Sequence, residues 1–315
     1  MISITEKKKY DDFLLTLENI PIFCNSWWLD IVCGKNWNYT SVNNEKNEII
    51  AVLPFYIKNI LTYKLIIQPQ LTQKLGPLII KDLHSDPTIL NELLNKLPSY
   101  DYISYNLNEE SAELVSDANK DFKKVHYTSC IIKNIKEKNI IKNLSSSKRN
   151  EFNKYNKNNS ITFEINNLNG KQFYEFHEKN LFKKKENVKY SKQIYIDLIN
   201  ECIKQKQGFV FSATLNNSIL GAIFIVHDNI NSYLLFTTYN TRNILSYIII
   251  KSILFLKDKV INYDFEGGMY NTMNYYYSSF GSSSRAYLNI KKNKSIFLKI
   301  IKKISDYANI QFVNF

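Results

Sequence analysis

Hydrophobic and polar positions alternate along this chain in short blocks, and the period of each block predicts an element. A polar opening stretch of helical character leads to residues 21–30, where Asn25 or Ser26 caps a helix that begins with Trp27 and Trp28. Residues 48–57 read as a strand after the turn-rich run 43–47, and residues 63–68 as another. Pro54 predicts an edge or a bulge in the first of these. Residues 68–77 are punctuated by Pro69, Gly76 and Pro77 and form a loop of defined shape. Helical spacing at 87–97 and 111–120 then alternates with strand patterns at 102–107 and 124–132, which indicates an α/β domain.

Residues 133–160 are rich in Lys, Asn and Ser and read as a connector that turns helical around 145–151. A strand is expected at 161–165, and helices at 170–182 and 191–206, the second with Ile194, Leu198 and Cys202 on one face. Three strands follow at 208–215, 219–227 and 232–238, with a short turn at Asn216, Asn217 and Ser218, so an antiparallel meander is expected. A helix at 243–256 is long enough to set the next strand, 260–265, parallel to its predecessor. A short helix at 272–279, a strand at 285–290 and a terminal helix from Ser295 end the pattern. The expected fold class is α/β (α+β) in two domains, residues 1–140 and 141–315.

Composition narrows the function classes more than it alters the fold. The chain has 315 residues, 44% of them hydrophobic and 14% aromatic, which supports a packed core and excludes disorder. Lys and Arg number 41 against 29 Asp and Glu, a net charge of +12. Richness in Lys, Asn and Ile matches a coding bias toward AT-rich codons, so the excess permits a local phosphate site without requiring one. Cys24, Cys33, Cys130 and Cys202 are scattered, and His84, His126, His177 and His227 dispersed, so neither a disulfide framework nor a metal site is expected. No apolar run approaches the ~20 residues of a membrane span, the amino terminus lacks an apolar leader, and free thiols suit a reducing compartment. A cytoplasmic protein without stable membrane insertion is expected; the amphipathic tail from Ser295 is expected to pack on the domain.

Four groups of residues are candidates for chemistry. Tyr239, Thr241, Arg242 and Asn243 stand at the amino end of the crossover helix, where backbone N–H groups and the helix dipole favour a donor phosphate. An ordinary cap by Thr241 or Asn243 explains the same residues. Asp264, Glu266 and Gly267 stand at the carboxyl end of a strand, where open α/β sheets bind ligands. The pleat sends Asp264 and Glu266 to one face; Glu266 suits a general base, and either carboxylate suits a structural cap. Among Tyr275, Tyr276 and Tyr277, core packing competes with a role in protonating a leaving group, and Tyr277 is the catalytic candidate. Lys148, Arg149 and Asn150 suit an anionic acceptor, because Arg holds phosphate bidentately, although such runs are commonly solvated faces. Motifs of serine hydrolases and P-loop nucleotide enzymes are absent.

The order of several motifs resembles the Fem-like proteins of the GNAT superfamily. The run from Leu144 to Lys157 resembles their R-N-x-I-R-K-A helix, and Ile219 to Phe224 their I-x-G-A-x-F strand. Tyr263 to Met269, followed by Tyr277 to Gly281, is similar to F-D-F-E-G-S-M with F-x-x-F-G. In the amino half, Pro21 to Asp30, Leu53 to Phe55 and Gln70 to Pro77 resemble P-x-F…W-L-D, L-P-Y and P-x-L-T-x-x-L-G-P. The resemblance implies two tandem GNAT-like domains, each a mixed central sheet flanked by helices, and acyl transfer to an amine without a metal. It implies acyl-CoA as donor in the acetyltransferase branch and aminoacyl-tRNA in the Fem-type branch, which builds peptidoglycan cross-bridges; a non-catalytic binding module is a third reading. The acceptor expected is a glycan precursor such as a nucleotide-linked amino sugar. Phe280 and Gly281 are assigned to the donor, and Trp37 and Thr72 to the acceptor. Two features differ from the wider families: residues 238–244 contain no glycine where GNAT proteins carry a Gly-rich pyrophosphate loop, and no long heptad arm is present.

Overall fold

The computed structural model describes residues 2–34, 36–108, 111, 114–115, 121–188, 190–267 and 271–295. The chain divides into two compact units, Met1–Tyr127 with the chain from Ala286 onward, and Thr128–Arg285. The path thus leaves the first unit and returns to it, whereas the sequence pattern suggests one boundary after residue 140.

Unit 1 begins with α1 (Ile4–Leu14), capped by the Ser3 side chain, and α2 (Ser26–Cys33). Its sheet runs in the order β1 (Trp37–Asn43), β2 (Ile49–Ile60), β3 (Tyr63–Ile67), β5 (Tyr102–Asn106), β12 (Ser283–Asn293), with β4 (Leu78–Ile79) on β2. Among the described residues β3 and β5 pair in parallel and the other neighbours antiparallel, so the sheet is mixed. The expected irregularity of β2 is present but lies away from Pro54: the register with β1 shifts at Ile50, Val42 facing Ala51 and Asn43 facing Ile49. Pro54 pairs with Tyr39 and on its other flank lies between Val52, opposite Leu78 of β4, and Tyr56, opposite Ile67 of β3. A residue without an N–H fits where the flank changes partner. The helix α3 (Pro87–Asn95) is capped by Asp86 and buries Ile89, Leu90, Leu93 and Leu94. Most of the expected helix at 111–120, and the expected terminal helix beyond Ser295, lie outside the described residues.

Unit 2 holds the strands β6 (Lys123–Ile132, from Thr128), β7 (Ile161–Ile165), β8 (Gly208–Leu215), β9 (Ser218–His227), β10 (Asn231–Tyr239) and β11 (Asn262–Asp264), in the order β7-β8-β9-β10-β11-β6. The expected meander forms, and its first turn places Asn216 and Asn217 at φ of 49° and 62°, the left-handed pair that a two-residue hairpin needs. The helix α8 (Ile244–Leu256) crosses over and sets β11 parallel to β10. One face of the sheet buries Phe211, Ile223, Ile225 and Leu234 with α8, the short α4 (Ile140–Asn143) and α5 (Ser146–Asn156). The other face carries α6 (Gly170–Lys183), which opens with a capping box from Asn169 and Gln172, and α7 (Lys192–Lys204). On α7 the buried positions are Tyr195, Leu198, Ile199 and Cys202, so Tyr195 takes the place expected of Ile194. The short α9 (Asn271–Ser278) follows β11.

Candidate functional site

The meander's last strand outruns its parallel neighbour. β10 pairs with β11 only through Asn231, Ser232 and Tyr233, opposite Asn262, Tyr263 and Asp264; β11 stops there and β10 continues to Tyr239. Within that overrun the register with β9 shifts between Leu234 and Phe236, so Leu235 is an extra residue of a β-bulge. The strand pair therefore opens toward the carboxyl ends of β10 and β11, where open α/β sheets place ligands.

Glu266 stands at that opening. Its φ is 54°, a left-handed turn immediately after β11, and the turn is fixed by its own N–H donating to Asp264 Oδ1 at 2.8 Å. The buried Asp264 also accepts a hydrogen bond from Ser129. Asp264 is thus the brace of the turn and Glu266 its half-buried product. Burial pushes the Tyr190, Tyr233 and Tyr277 hydroxyls up, and the Glu266 charge adds to the rise of each, behind Asp228 and Asp264 for Tyr233 and behind Tyr276 and Cys130 for Tyr277. Phe265 faces the other way, into the α8 core, where the Tyr277 ring stacks on it at 4.6 Å. Gly267 permits that stack, since a Cβ there would meet the Tyr277 ring at 2.9 Å.

A second group surrounds the start of α8. Asn243 adopts φ 66° and makes no side-chain cap; Arg242 is exposed and its carbonyl accepts from Tyr155 at 2.6 Å. Asparagine tolerates the left-handed turn better than other residues with a Cβ, so the turn onto α8 forms without the glycine of the usual loop. Thr241 bonds Asn240, and Lys184 sits 4.3 Å over the Tyr239 ring. Phe280 is buried against Phe265 and Tyr276, and Gly281, at φ 84°, fits closely against the Asn143 backbone.

The remaining candidates sit elsewhere. The Lys148 ammonium is held by Glu151 Oε2 at 2.7 Å and Ser246 Oγ at 3.0 Å, above the Tyr276 ring at 4.6 Å. Arg149 bonds the carbonyls of Ile141, Lys142 and Leu144 at the end of α4, while Asn150 is exposed on α5. Both cations serve internal bonds of unit 2. Trp37 and Thr72 belong to unit 1: Trp37 donates to Asp30 at 2.8 Å, and the buried Thr72 hydroxyl accepts from Trp28 at 3.0 Å. Sequence patterning does not single out Tyr190, Tyr195, Tyr233 or His177 as neighbours of the opening; the available signal is the aromatic spacing of Phe173 and His177 on α6. Among the described residues, no group of three or more His, Cys, Asp or Glu side chains is arranged to hold a metal ion, and no helix is long and apolar enough to cross a membrane.

No protein-family model matches the sequence, and no curated protein matches it. Solved structures do. A crystal structure of FemX superimposes with a TM-score of 0.73 at 10% identity, covering 96% of this chain and 98% of that one. The fold is Fem-like. L-PGS from Bacillus licheniformis superimposes with TM-score 0.58 and 13% identity over 93% of this chain and 94% of that one. The C-terminal domain of a putative lysylphosphatidylglycerol synthetase from Agrobacterium fabrum gives 0.58 at 8% identity, covering 92% of each chain. At these identities the Fem-like fold is what is shared.

Proposed function

We propose that unit 2 transfers an acyl group from an activated carbonyl donor to an amine, with acyl-CoA as the donor. The observation that carries this reading is the opening between β10 and β11, with a bulge on one side and Glu266 braced on the other. The donor carbonyl lies in the opening, polarised by backbone N–H groups of the bulged strand. The amine nitrogen attacks it, forming the C–N bond as the C–S bond breaks. Glu266, directly or through a water, takes the amine proton, and Tyr277, kept neutral by burial, protonates the departing thiolate. Thr241, Arg242 and Asn243 at the start of α8 receive the donor phosphates. A phosphate role for Lys148 and Arg149 loses its support, since both are engaged within unit 2; the proposal keeps the amine acceptor and drops its nucleotide.

Glu266→Gln tests the reading in a thiol-release assay: kcat falls by about 10²–10⁴ and loses its acidic limb. Unchanged turnover at every pH removes Glu266 from the mechanism.

A second reading is supported by the likeness to FemX and to the lysylphosphatidylglycerol synthetase domain: an aminoacyl group arriving on tRNA. It requires phosphate contacts, so tRNA binding would fall steeply with salt, and absence of binding at low salt eliminates it.

A further inference from the structure

The wall that α6 and α7 build against β10 contains two buried polar atoms without a hydrogen-bond partner, the Tyr195 hydroxyl and Nδ1 of His177. They belong to neighbouring rings, with centroids 5.7 Å apart and planes 23° from parallel. Tyr195 is 0% exposed and stacks on Phe236, the residue just past the bulge, at 4.1 Å. Aromatic packing explains the rings. It does not explain the hydroxyl and the ring nitrogen, for phenylalanine and leucine would fill a core without an unmet hydrogen bond. Phe236 links this pair to the overrun of β10: Tyr195 stacks on it, and the Tyr190 ring lies 6.3 Å from it. Tyr190 is 36% exposed and His177 partly so, which brings solvent to the rim of this wall.

The chemistry of the pair selects its ligand. Burial, then the Lys184 charge, keeps His177 neutral, and the phenol is neutral as well. A charged group would enter without a counter-ion, whereas a hydroxyl offers one donor and two lone pairs, the complement of a phenol and a neutral imidazole nitrogen.

We propose that Tyr195 and His177 form an acceptor subsite for a neutral hydroxyl, so that the acceptor is a hydroxyl-bearing amine of the amino-sugar class. The proposal rests on Glu266 as the base that receives the amine of the same molecule. Binding of glucosamine and of cyclohexylamine, a ring amine lacking hydroxyls, is measured by calorimetry on the full chain, with Tyr195→Phe and His177→Leu beside the parent. Expected are glucosamine binding by the parent, weakened about tenfold by each variant, weaker cyclohexylamine binding that neither variant changes, and a Tm of Tyr195→Phe no lower than the parent's. Absence of glucosamine binding, equal binding by Tyr195→Phe, or a fall in its Tm overturns the subsite; equal binding would mean that an internal water completes the hydroxyl. Thiol release from acetyl-CoA with glucosamine separates the two readings. Binding lost in the variants but no release in the parent refutes acyl transfer from CoA and keeps the subsite; release with a glucosamine KM unchanged in both variants refutes the subsite alone.

Discussion

Lys148 carries a charge into unit 2 and keeps it there, with its side chain 11% exposed and that of Glu151 16%. Removing one member of such a pair strands the other, at a cost of about 3 kcal/mol. Lys148→Met is therefore expected to lower Tm by several degrees, and Lys148→Met with Glu151→Leu to recover part of the loss, as thermal unfolding would show. A lysine that held a substrate phosphate would instead raise KM and leave Tm unmoved. Gly267→Ala places a Cβ 2.9 Å from the Tyr277 ring, and about 1–3 kcal/mol of overpacking strain is expected from denaturant unfolding. His177 adds a pH signature. Burial lowers its pKa in the folded state, so below about pH 6.5 the unfolded chain binds the extra proton and stability declines as pH falls. His177→Leu should lose part of that acid sensitivity in Tm measured from pH 7.5 to 5. At this scale the sequence was a partial guide. It marked Asp264 and Glu266 at the carboxyl end of β11 but not the left-handed turn at Glu266 that interrupts the pleat. A basic run, too, says nothing of whether water or the protein solvates it: Lys148 and Arg149 turn inward.

Among the elements, the meander and its crossover were legible because their signals are local: Asn216 and Asn217 make the hairpin turn, and the apolar run of α8 follows a polar turn. β1 was not. Its sequence, WNYTSVN, alternates weakly and is rich in short polar side chains, and it is a strand because β2 lies beside it from Trp37 to Asn43. The start of α8 gives a test of the left-handed turn. Asn243→Gly should leave stability within about 0.5 kcal/mol, whereas Asn243→Val should cost about 1–2 kcal/mol because a branched Cβ resists φ 66°. If the donor phosphates use this turn, the valine variant also raises the donor KM and the glycine variant does not. Helix boundaries followed their caps closely: Ser145 for α5, Asn169 for α6, Asp86 for α3.

For the whole molecule, route matters as much as composition. Unit 1 takes its last strand from beyond residue 285, and β12 pairs with β5 from Tyr102 to Asn106, with Asn289 bonding Asn106 at 2.6 Å. A chain stopped after Arg285 should lose protease resistance across residues 1–127 while 128–285 stays resistant, which limited proteolysis with mass mapping would reveal. The division itself was not legible, because a strand pattern near the end of a sequence does not announce which earlier strand it will join. Synthesis then imposes an order on this protein. β5 leaves the ribosome with a bare edge and must wait for all of unit 2 to be translated before its partner arrives. The nascent chain carries an unsealed seam through that interval, and a chaperone or fast closure of unit 2 would guard it against pairing with a stranger.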